Sequence, residues 1–269
     1  MISFPNCKIN LGLQVLDKRN DGYHNLCTVF YPLPLRDVLE VVAGNENKLI
    51  LTGMPVGGPP EMNLCVKAWQ LLKNDHPDLA PVTICLHKNI PMGAGLGGGS
   101  ADGAFMLQLL NKKFQLNIAQ EKLMDYALQL GSDCPFFLHN QPSLATGRGE
   151  TLEDLTLDLS SYSFLLVHPG IHVNTGWAFS QINPAAASAD LTSIIQQPVE
   201  QWRHLLVNDF EAPVCNHFPE MQTIKDRLYH AGALYASMTG SGSCFFGIFP
   251  KDQLPSVEWP GNYRQFLLP

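Results

Sequence analysis

Long apolar runs, an excess of positive charge and paired cysteines are all missing from this 269-residue sequence. The longest purely apolar runs, such as residues 164–167, fall far short of the ~20 residues that a membrane-spanning helix needs. The N-terminus has no basic segment followed by a long apolar one, so we expect neither a signal peptide nor a partner membrane.

Acidic residues outnumber basic ones, 24 against 17, and the formal net charge is −7. A protein that binds nucleic acid through its phosphates usually carries a basic face, so we expect no nucleic acid partner. Hydrophobic residues make up 45% of the chain and charged residues 15%, which is typical of a folded protein with a large core.

The cysteines are odd in number and scattered, and no two of them form a Cys-x-x-Cys pair. This pattern argues against a disulfide framework or a zinc knot, and it favours reduced thiols in a cytoplasmic protein. His168 and His172 have the spacing of a helical metal pair, but Pro169 and Gly170 lie between them and exclude a helix. The residues themselves therefore predict no protein-bound metal site.

The apolar pattern predicts an α+β protein with two lobes, at residues 1–155 and 156–269. Polar and apolar residues alternate from 7 to 16, which predicts a strand with one face in the core, and Asp21-Gly22 predicts a hairpin turn after it. Further strands are expected at 26–30, 38–42, 82–87, 135–138, 143–146, 164–167, 234–238 and 244–249. Helices are expected at 64–72, 101–110, 118–130, 174–181, 198–208 and 219–231.

The segment from Pro91 to Ala101 is the strongest local signal, because five of its residues between 93 and 99 are glycine. Glycines leave the main-chain N–H groups uncovered, and a helix that follows directly adds its own free N–H groups and positive dipole end. Such a segment predicts an anion site, most naturally for phosphate. The alternative is a flexible linker, which a strand and a helix rarely flank so closely.

Several known phosphate loops do not fit this segment. A dinucleotide-binding fold needs an acidic residue at the end of a strand ~20 residues later, but Glu121 and Asp125 lie in a helical pattern. A Walker A loop needs a lysine after the glycines, and a protein kinase needs His-Arg-Asp and Asp-Phe-Gly motifs that are absent. Asp102 also stands where a nucleophile elbow requires glycine.

The remaining pattern, Pro-x-x-x-Gly-Leu-Gly-x-x-Ser-Ala, resembles the phosphate-binding motif of the GHMP kinases. Residues 7–11 (Cys-Lys-Ile-Asn-Leu) resemble the N-terminal strand motif of that family, and residues 239–243 (Thr-Gly-Ser-Gly-Ser) its C-terminal glycine motif. The resemblance covers about residues 5 to 249. It implies an N-terminal lobe like domain 2 of ribosomal protein S5 and a ferredoxin-like C-terminal lobe.

Four details are similar to one branch of that family. They are Lys8-x-Asn10, Asp21-Gly22-Tyr23-His24, the triple glycine before Ser100, and Gly131-Ser132-Asp133-Cys134-Pro135. The branch uses ATP and Mg²⁺ to phosphorylate the 2-hydroxyl of 4-diphosphocytidyl-2-C-methyl-D-erythritol in the non-mevalonate route to isoprenoids. Two alternatives stay open: another GHMP kinase, such as a homoserine or mevalonate kinase, and a nucleotide-binding module without activity.

The resemblance implies that Asp133 is the general base and that Lys8 is its charged partner. The physics is consistent, because an ammonium near a carboxylate holds it ionised and oriented and can also face charge on the transferred phosphoryl group. Taken alone, Asp133 could be an ordinary turn carboxylate. Lys8 could be a solubilising charge on an edge strand.

The resemblance also implies which residues bind the nucleotide. Asn63, Leu64 and Lys88 match positions near the adenine, although Asn63 is also a good helix cap. Ser100 matches a serine that touches nucleotide phosphate. It could cap a helix, reach phosphate and magnesium, or do both. The loop residues themselves are Pro91, Met92, Gly93, Ala94, Gly95, Leu96, Gly97, Gly98, Gly99, Ser100 and Ala101.

For the acceptor, the resemblance implies that Tyr23 and His24 hold the cytidine end and that Asn10 contacts the diphosphate or erythritol end. Phe30 and Phe179 are candidates for stacking on the base, with the hydrophobic core as the alternative for both. Thr239 and Gly240 of the C-terminal glycine motif complete the expected substrate contacts. The tail from 251 to 269 is shorter than usual for the family, which leaves its packing open.

Overall fold

The computed structural model describes residues 1–187, 189–253 and 255–269. The chain folds into two compact units, and each is assembled from separate segments. The first unit comprises Met1–Lys8, Pro34–Met92 and Gly97–Asn140; the second comprises Ile9–Leu33, Gly93–Leu96 and Gln141–Pro269. The fold contains both helices and sheets whose strands pair mainly antiparallel, with one parallel pair, in agreement with the predicted α+β class.

The strands are β1 (Ile2–Ser3), β2 (Asn6–Lys18), β3 (His24–Arg36), β4 (Val38–Ala43), β5 (Lys48–Gly53), β6 (Val82–Lys88), β7 (Ser143–Gly147), β8 (Thr151–Asp154), β9 (Tyr162–His168), β10 (Tyr235–Met238), β11 (Phe245–Pro250) and β12 (Arg264–Leu268). The α-helices are α1 (Leu64–Asp75), α2 (Gly98–Lys113), α3 (Gln120–Leu130), α4 (Cys134–His139), α5 (Thr175–Ser180), α6 (Leu191–Ile195), α7 (Glu211–His217) and α8 (Pro219–His230). Short 3₁₀ helices lie at Pro60–Met62 and Val199–His204. Among the described residues, no helix is long and apolar enough to cross a bilayer.

The first unit packs helices α1 to α4 with a sheet of order β1-β4-β6-β5. Strand β6 illustrates how the sheet packs. Val82, Ile84 and Leu86 are buried and the residues between them are less so, which is the period-two pattern of a half-buried strand. Lys88 falls on the same face as these three residues and is buried with them. The sequence pattern thus carries a lysine into the interior of the first unit.

Helices α1 and α2 pack closely at Gly103. A Cβ on Gly103 would lie 2.9 Å from the Cβ of Leu64, so the approach of the two helices requires a glycine there. A glycine inside a helix lowers its stability by about 1 kcal/mol relative to alanine. The close contact with α1 explains why a glycine occupies this position all the same. Helix α2 begins at Gly98, three residues before the start predicted from the sequence.

The second unit contains an antiparallel sheet of order β10-β11-β9-β12, and its helices α7 and α8 pack together. Its core includes Leu13 and Val15 from β2, together with Leu165, Phe210 and Phe245. Strand β3 pairs with β7 in a further sheet, of order β2-β3-β7-β8. Strand β12 adds an antiparallel edge to β9, which defines the packing of the short C-terminal tail.

Some predicted elements differ in the structure. Residues 135–138 form helix α4 instead of a strand, because Pro135 suits a first helical turn and the apolar run that follows fits either period. The helix expected at 198–208 is the 3₁₀ helix Val199–His204. The sequence did not predict β1, β5, β8, α6, α7, β12 or the 3₁₀ helix Pro60–Met62. Strand β2 is buried on both faces from Asn6 to Val15, whereas one buried face was expected.

Candidate active site

Lys8 and Asp133 meet in the first unit. The Nζ of Lys8 lies 3.5 Å from Oδ2 of Asp133, and the two side chains are 4% and 34% exposed. The burial of Lys8 rules out an edge-strand solubilising charge. Desolvation lowers the pKa of Lys8, and Asp133 opposes that shift by favouring the charged ammonium.

Asp133 stands directly before helix α4 but does not cap it. Its side chain accepts no capping hydrogen bond, although its position is the one from which aspartates commonly do so. The carboxylate is instead committed to Lys8 and is partly exposed to solvent. Asp133 is therefore placed as a reactive carboxylate would be, with a cation on one side and access from outside.

The N-terminus of α2 lies against the same lysine. Gly97 precedes the helix with a φ of +69°, and a Cβ there would lie 2.7 Å from Cζ of Phe137 and 3.2 Å from Cγ of Lys8. Only glycine fits this conformation and this space. Two further glycines, Gly98 and Gly99, open the helix, and its first turn holds no acidic residue. The free N–H groups of α2 thus begin beside the Lys8 stem.

Ser100 is the third residue of α2 and does not cap the helix, since Gly97 occupies the cap position. The capping alternative for Ser100 was therefore wrong. Its hydroxyl lies within hydrogen-bonding reach of the sulfur of Cys134, the residue after Asp133. Ser100 joins the start of α2 to the start of α4, next to the Lys8–Asp133 pair.

The three residues expected near adenine also lie in the first unit. The side-chain oxygen of Asn63 accepts a hydrogen bond from the N–H of Cys65 at 2.9 Å, so Asn63 caps α1. Leu64 is the first residue of that helix and packs against Gly103. The Lys88 side chain is completely buried and forms ion pairs with Asp37 and Asp102. The part of these residues in nucleotide binding stays a prediction.

The other loop residues differ in exposure. Met92 is exposed and Pro91 is buried. The side chains of Ala94, Leu96 and Ala101 are buried, so these residues can meet a ligand only through their main chain. In the second unit, Gly93 has its Cα near the ring of His172, and the carbonyl of Ala94 accepts a hydrogen bond from the N–H of Cys244.

A buried polar network in the second unit brings Asn10, Thr239 and Gly95 together. The N–H of Asn10 donates to Oγ1 of Thr239 at 3.0 Å, and the Thr239 hydroxyl lies 3.0 Å from the carbonyl of Gly95. A Cβ on Gly95 would collide with the main chain of Thr239, which explains the glycine. A Cβ on Gly240 would in turn lie 3.0 Å from the Cα of Gly95. The N-terminal strand motif, part of the glycine loop and the C-terminal glycine motif thus meet as one structure.

A pocket of about 620 Å³ opens beside the β2–β3 hairpin, also in the second unit. Tyr23 is 54% exposed, and the rings of His24 and Phe179 stack with centroids 4.9 Å apart and 14° between their planes. Phe30, in contrast, is only 2% exposed and belongs to the core. Tyr23, His24 and Phe179 line the pocket together, whereas Phe30 offers no ring face to it.

Sequence reasoning missed several residues at these sites. Arg148, in the turn between β7 and β8, places its guanidinium 5.0 Å from the centroid of the Tyr23 ring. Thr175 and Ser180 line the aromatic pocket, and Asp37 and Asp102 pair with Lys88. A run of Thr-Gly-Arg-Gly-Glu marks only a turn, so the sequence held no signal that joined Arg148 to Tyr23.

Comparison with known proteins identifies the family. The sequence-family model that describes the GHMP kinase N-terminal domain matches residues 63–141. The family model that describes the GHMP kinase C-terminal domain matches residues 191–258. A 4-diphosphocytidyl-2-C-methyl-D-erythritol kinase of Bacteroides fragilis is 50% identical over 268 residues, which cover 98% of this chain and 97% of the relative.

Comparison with solved structures identifies the same family. A crystal structure of 4-(cytidine 5'-diphospho)-2C-methyl-D-erythritol kinase superposes with a TM-score of 0.80 at 33% identity, covering 92% of this chain and 90% of the other. The mevalonate kinase of Methanococcus jannaschii, with a TM-score of 0.67 at 13% identity over 94% and 92% of the two chains, shares the fold alone. The two-lobed GHMP kinase fold expected from the motifs is confirmed. The chain belongs to the 4-diphosphocytidyl-2-C-methyl-D-erythritol kinases, a branch of the GHMP kinase family.

Proposed function

We propose that this protein transfers the γ-phosphoryl group of ATP to the 2-hydroxyl of 4-diphosphocytidyl-2-C-methyl-D-erythritol. The observation that carries the proposal is the buried Lys8 beside a partly exposed Asp133, next to the glycine-rich start of α2. Phosphoryl transfer asks a protein mainly for positioning and for positive charge near the phosphoryl oxygens. This arrangement offers both.

Asp133 takes the proton of the acceptor hydroxyl as the hydroxyl oxygen forms its bond to the γ-phosphorus. The bond between the γ-phosphorus and the bridging oxygen breaks, and that oxygen leaves with ADP. Lys8 keeps the Asp133 carboxylate ionised and oriented, because the ammonium is held 3.5 Å from it. The same ammonium and the free N–H groups of α2 stabilise negative charge on the transferred group.

The residues present fit ATP at the start of α2. Bare glycines and the absence of acidic side chains in the first turn leave its N–H groups open to phosphate. ATP supplies the phosphoryl group, and Mg²⁺ supplies further positive charge on its oxygens. In the described part of the chain, no three His, Cys, Asp or Glu side chains cluster as a metal site. We therefore propose that Mg²⁺ is held mainly by phosphate oxygens and water, as is usual for this ion.

We propose that the pocket lined by Tyr23, His24 and Phe179 receives the cytosine. The volume of about 620 Å³ suits a small organic group, and aromatic faces hold nucleobases by stacking. The Arg148 guanidinium over the Tyr23 ring holds that ring by a cation–π contact. The buried Asn10–Thr239 network is proposed to support the polyol and diphosphate side of the acceptor.

The direct test is an assay of ADP release with four acceptors: 4-diphosphocytidyl-2-C-methyl-D-erythritol, galactose, homoserine and mevalonate. We expect turnover with the first and only background release with the other three. Turnover with homoserine or mevalonate would assign the protein to another GHMP kinase activity. ATP binding without turnover of any acceptor would indicate a nucleotide-binding module.

We further propose that the protein works in the cytoplasm as a monomer or weak homodimer, without a nucleic acid or membrane partner. The net charge of −7 supports the absence of a nucleic acid partner, and the seven free thiols are consistent with the reducing cytoplasm. Light scattering coupled to size exclusion at micromolar concentration tests the assembly state. A stable oligomer larger than a dimer would contradict it.

A further inference from the structure

An ionic cluster is fully buried in the first unit, outside the residues used above for chemistry. Lys88 at the end of β6 forms an ion pair with Asp37 and lies 2.6 Å, Nζ to Oδ2, from Asp102 of α2. Lys88, Asp37 and Asp102 are 1%, 0% and 3% exposed. Burying three charged groups is costly, so the arrangement needs a reason beyond general stability.

The two carboxyl groups of this cluster are not equivalent. Oδ1 of Asp37 accepts hydrogen bonds from the N–H groups of Asn89 at 2.6 Å and Ile90 at 2.9 Å, and its Oδ2 accepts from Lys88. Asp37 is thus satisfied as an anion. Oδ1 of Asp102 is buried and has no hydrogen-bond partner among the described residues. An ionised carboxylate with one unpartnered oxygen in the interior is unfavourable, and a protonated carboxyl costs less to bury there because it carries no charge.

The cluster lies next to the first residues of α2. A Cβ on Gly98, the first residue of the helix, would be 3.4 Å from Nζ of Lys88 and 2.7 Å from the Ile90 side chain. Asp102 is one turn further along the same helix. The contact from Asp102 to Lys88 therefore ties the first turns of α2 to the end of β6.

From this geometry we propose that Asp102 is a positioning residue for nucleotide binding and that it acts as a neutral, protonated carboxyl. Its contact with Lys88 fixes the first turn of α2, where the proposed function places the phosphates of ATP. Its proton keeps the cluster at zero net charge, with Lys88 positive and Asp37 negative. A second anion below the phosphate site would oppose the binding of a polyanion.

The surroundings of Asp102 favour this neutral form. Burial raises the pKa of Asp102 to about 8, against the opposing effect of Lys88 and with further help from Asp37. From α1, the thiol of Cys65 faces the main-chain carbonyl of Asp102, and burial holds the pKa of Cys65 well above its usual value. Lys88 is thus the cation in this group of neighbours.

A raised carboxyl pKa has a definite sign in the free energy of unfolding. Between about pH 4 and 8 the folded protein holds a proton on Asp102 that the unfolded chain has lost. The stabilisation from this proton is complete below pH 4 and is lost as the pH rises toward 8. Asp102→Asn is neutral at every pH, so its stability relative to the unmodified protein should increase from pH 5 to pH 8.

Urea unfolding of the purified 269-residue protein tests the protonation state of Asp102. We expect Asp102→Asn to be at least as stable as the unmodified protein at pH 8. We expect Asp37→Asn to be strongly destabilised, because its one amide oxygen cannot accept both from Lys88 and from the main-chain N–H groups of Asn89 and Ile90, and its NH2 group would face a donor. Equal losses in the two variants at pH 8, or a difference that does not change with pH, would overturn the neutral carboxyl. An ordinary buried salt bridge would produce that result.

Calorimetric titration with ATP and Mg²⁺ tests the positioning role. Between pH 7 and 9.5 the Asp102 carboxyl of the unmodified protein should lose its proton, which Asp102→Asn cannot do. We therefore expect the Kd of ATP to rise by a factor about tenfold larger in the unmodified protein than in Asp102→Asn. The titrations of ATP and of Lys8 occur in both proteins and cancel in the ratio. Parallel pH profiles would overturn the link between the proton and nucleotide binding.

Asp102→Ala removes the contact with Lys88. We expect it to raise the Kd of ATP at every pH and to leave the KM of the acceptor unchanged. Tyr126→Phe, which removes a hydrogen bond from α3 to Asp75, is the control and should leave the Kd of ATP as it was. A wild-type Kd in Asp102→Ala would overturn the positioning role. The comparison assumes the proposed function, which fails separately if the unmodified protein does not release ADP.

Discussion

At the scale of single residues, the proposed reaction depends on the contact between Lys8 and Asp133. Asp133→Asn keeps the size of the side chain but removes its capacity to accept a proton. We expect kcat to fall by about 10²-fold or more, with the Kd of ATP nearly unchanged, because in the proposed function main-chain groups hold the nucleotide. Steady-state ADP release and calorimetry measure the two quantities. A near-normal kcat would remove Asp133 from the role of base.

Lys8 itself should titrate below an ordinary lysine, because desolvation lowers its pKa. As the pH rises, a lysine with a lowered pKa loses its proton in the folded protein before it does so in the unfolded chain. The free energy of unfolding therefore rises with pH between the pKa of the folded protein and 10.5, the ordinary lysine value. Asp133 favours the ammonium, so Asp133→Asn should lower the pKa further. NMR of labelled lysine Nζ groups, with Lys8→Met for assignment, measures both midpoints. A midpoint at or above 10.5 would contradict the burial argument.

At the scale of elements, the start of α2 depends on two glycines in different ways. In Gly97→Ala, the φ of +69° and the contact with Phe137 both oppose a Cβ, so we expect a loss of stability of about 1–3 kcal/mol and a higher KM for ATP. In Gly99→Ala, the nearest side-chain atom is Cε of Met92 at 3.7 Å, so the fold should accept the methyl group.

Urea unfolding of the two alanine variants makes the comparison, and Gly57→Ala, with no atom within 4 Å of its Cβ, is the neutral control. Gly99→Ala should be as stable as the unmodified protein or slightly more so, since alanine favours the helix. Equal destabilisation of Gly97→Ala and Gly99→Ala would show that flexibility of the loop, and not the space at Gly97, determines the effect.

The elements and contacts that the sequence predicted are those with local signals. The period of two in β2, the cap at Asn63 and the glycines before α2 each lie within a few residues, and the family motif joined Lys8 to Asp133. Helix α4 was missed because a short apolar run fits both periods. The Lys88–Asp37 pair could not be foreseen, since 51 residues separate its members and no local pattern relates them.

The two phenylalanine candidates illustrate the same limit. Phe30 and Phe179 carry the same ring, and the sequence left the core open for both. Tertiary packing buries Phe30 to 2% exposure and leaves Phe179 in the pocket against His24. Which aromatic residue faces a ligand is decided by how separate strands and helices pack, and sequence spacing does not record that.

At the scale of the whole molecule, the chain contributes distant segments to each compact unit. The predicted lobes, 1–155 and 156–269, stay a proposal about where the family halves meet, and the two family matches lie on either side of that boundary. Within the second unit, Leu13 and Val15 of β2 pack with Leu165 and Phe245. A core that takes residues from both sides of the boundary cannot be complete in either segment alone.

We therefore expect neither fragment 1–155 nor fragment 156–269 to fold by itself. The first would expose Leu13 and Val15, and the second would lack them, at a cost of about 1.5–3 kcal/mol for each buried side chain. Circular dichroism and urea titration of each fragment, beside the intact chain with the same tag, measure this. A cooperative unfolding transition of isolated 156–269 would contradict the expectation. Recovery of ADP release on mixing the two fragments would show that the separated segments still find their shared core.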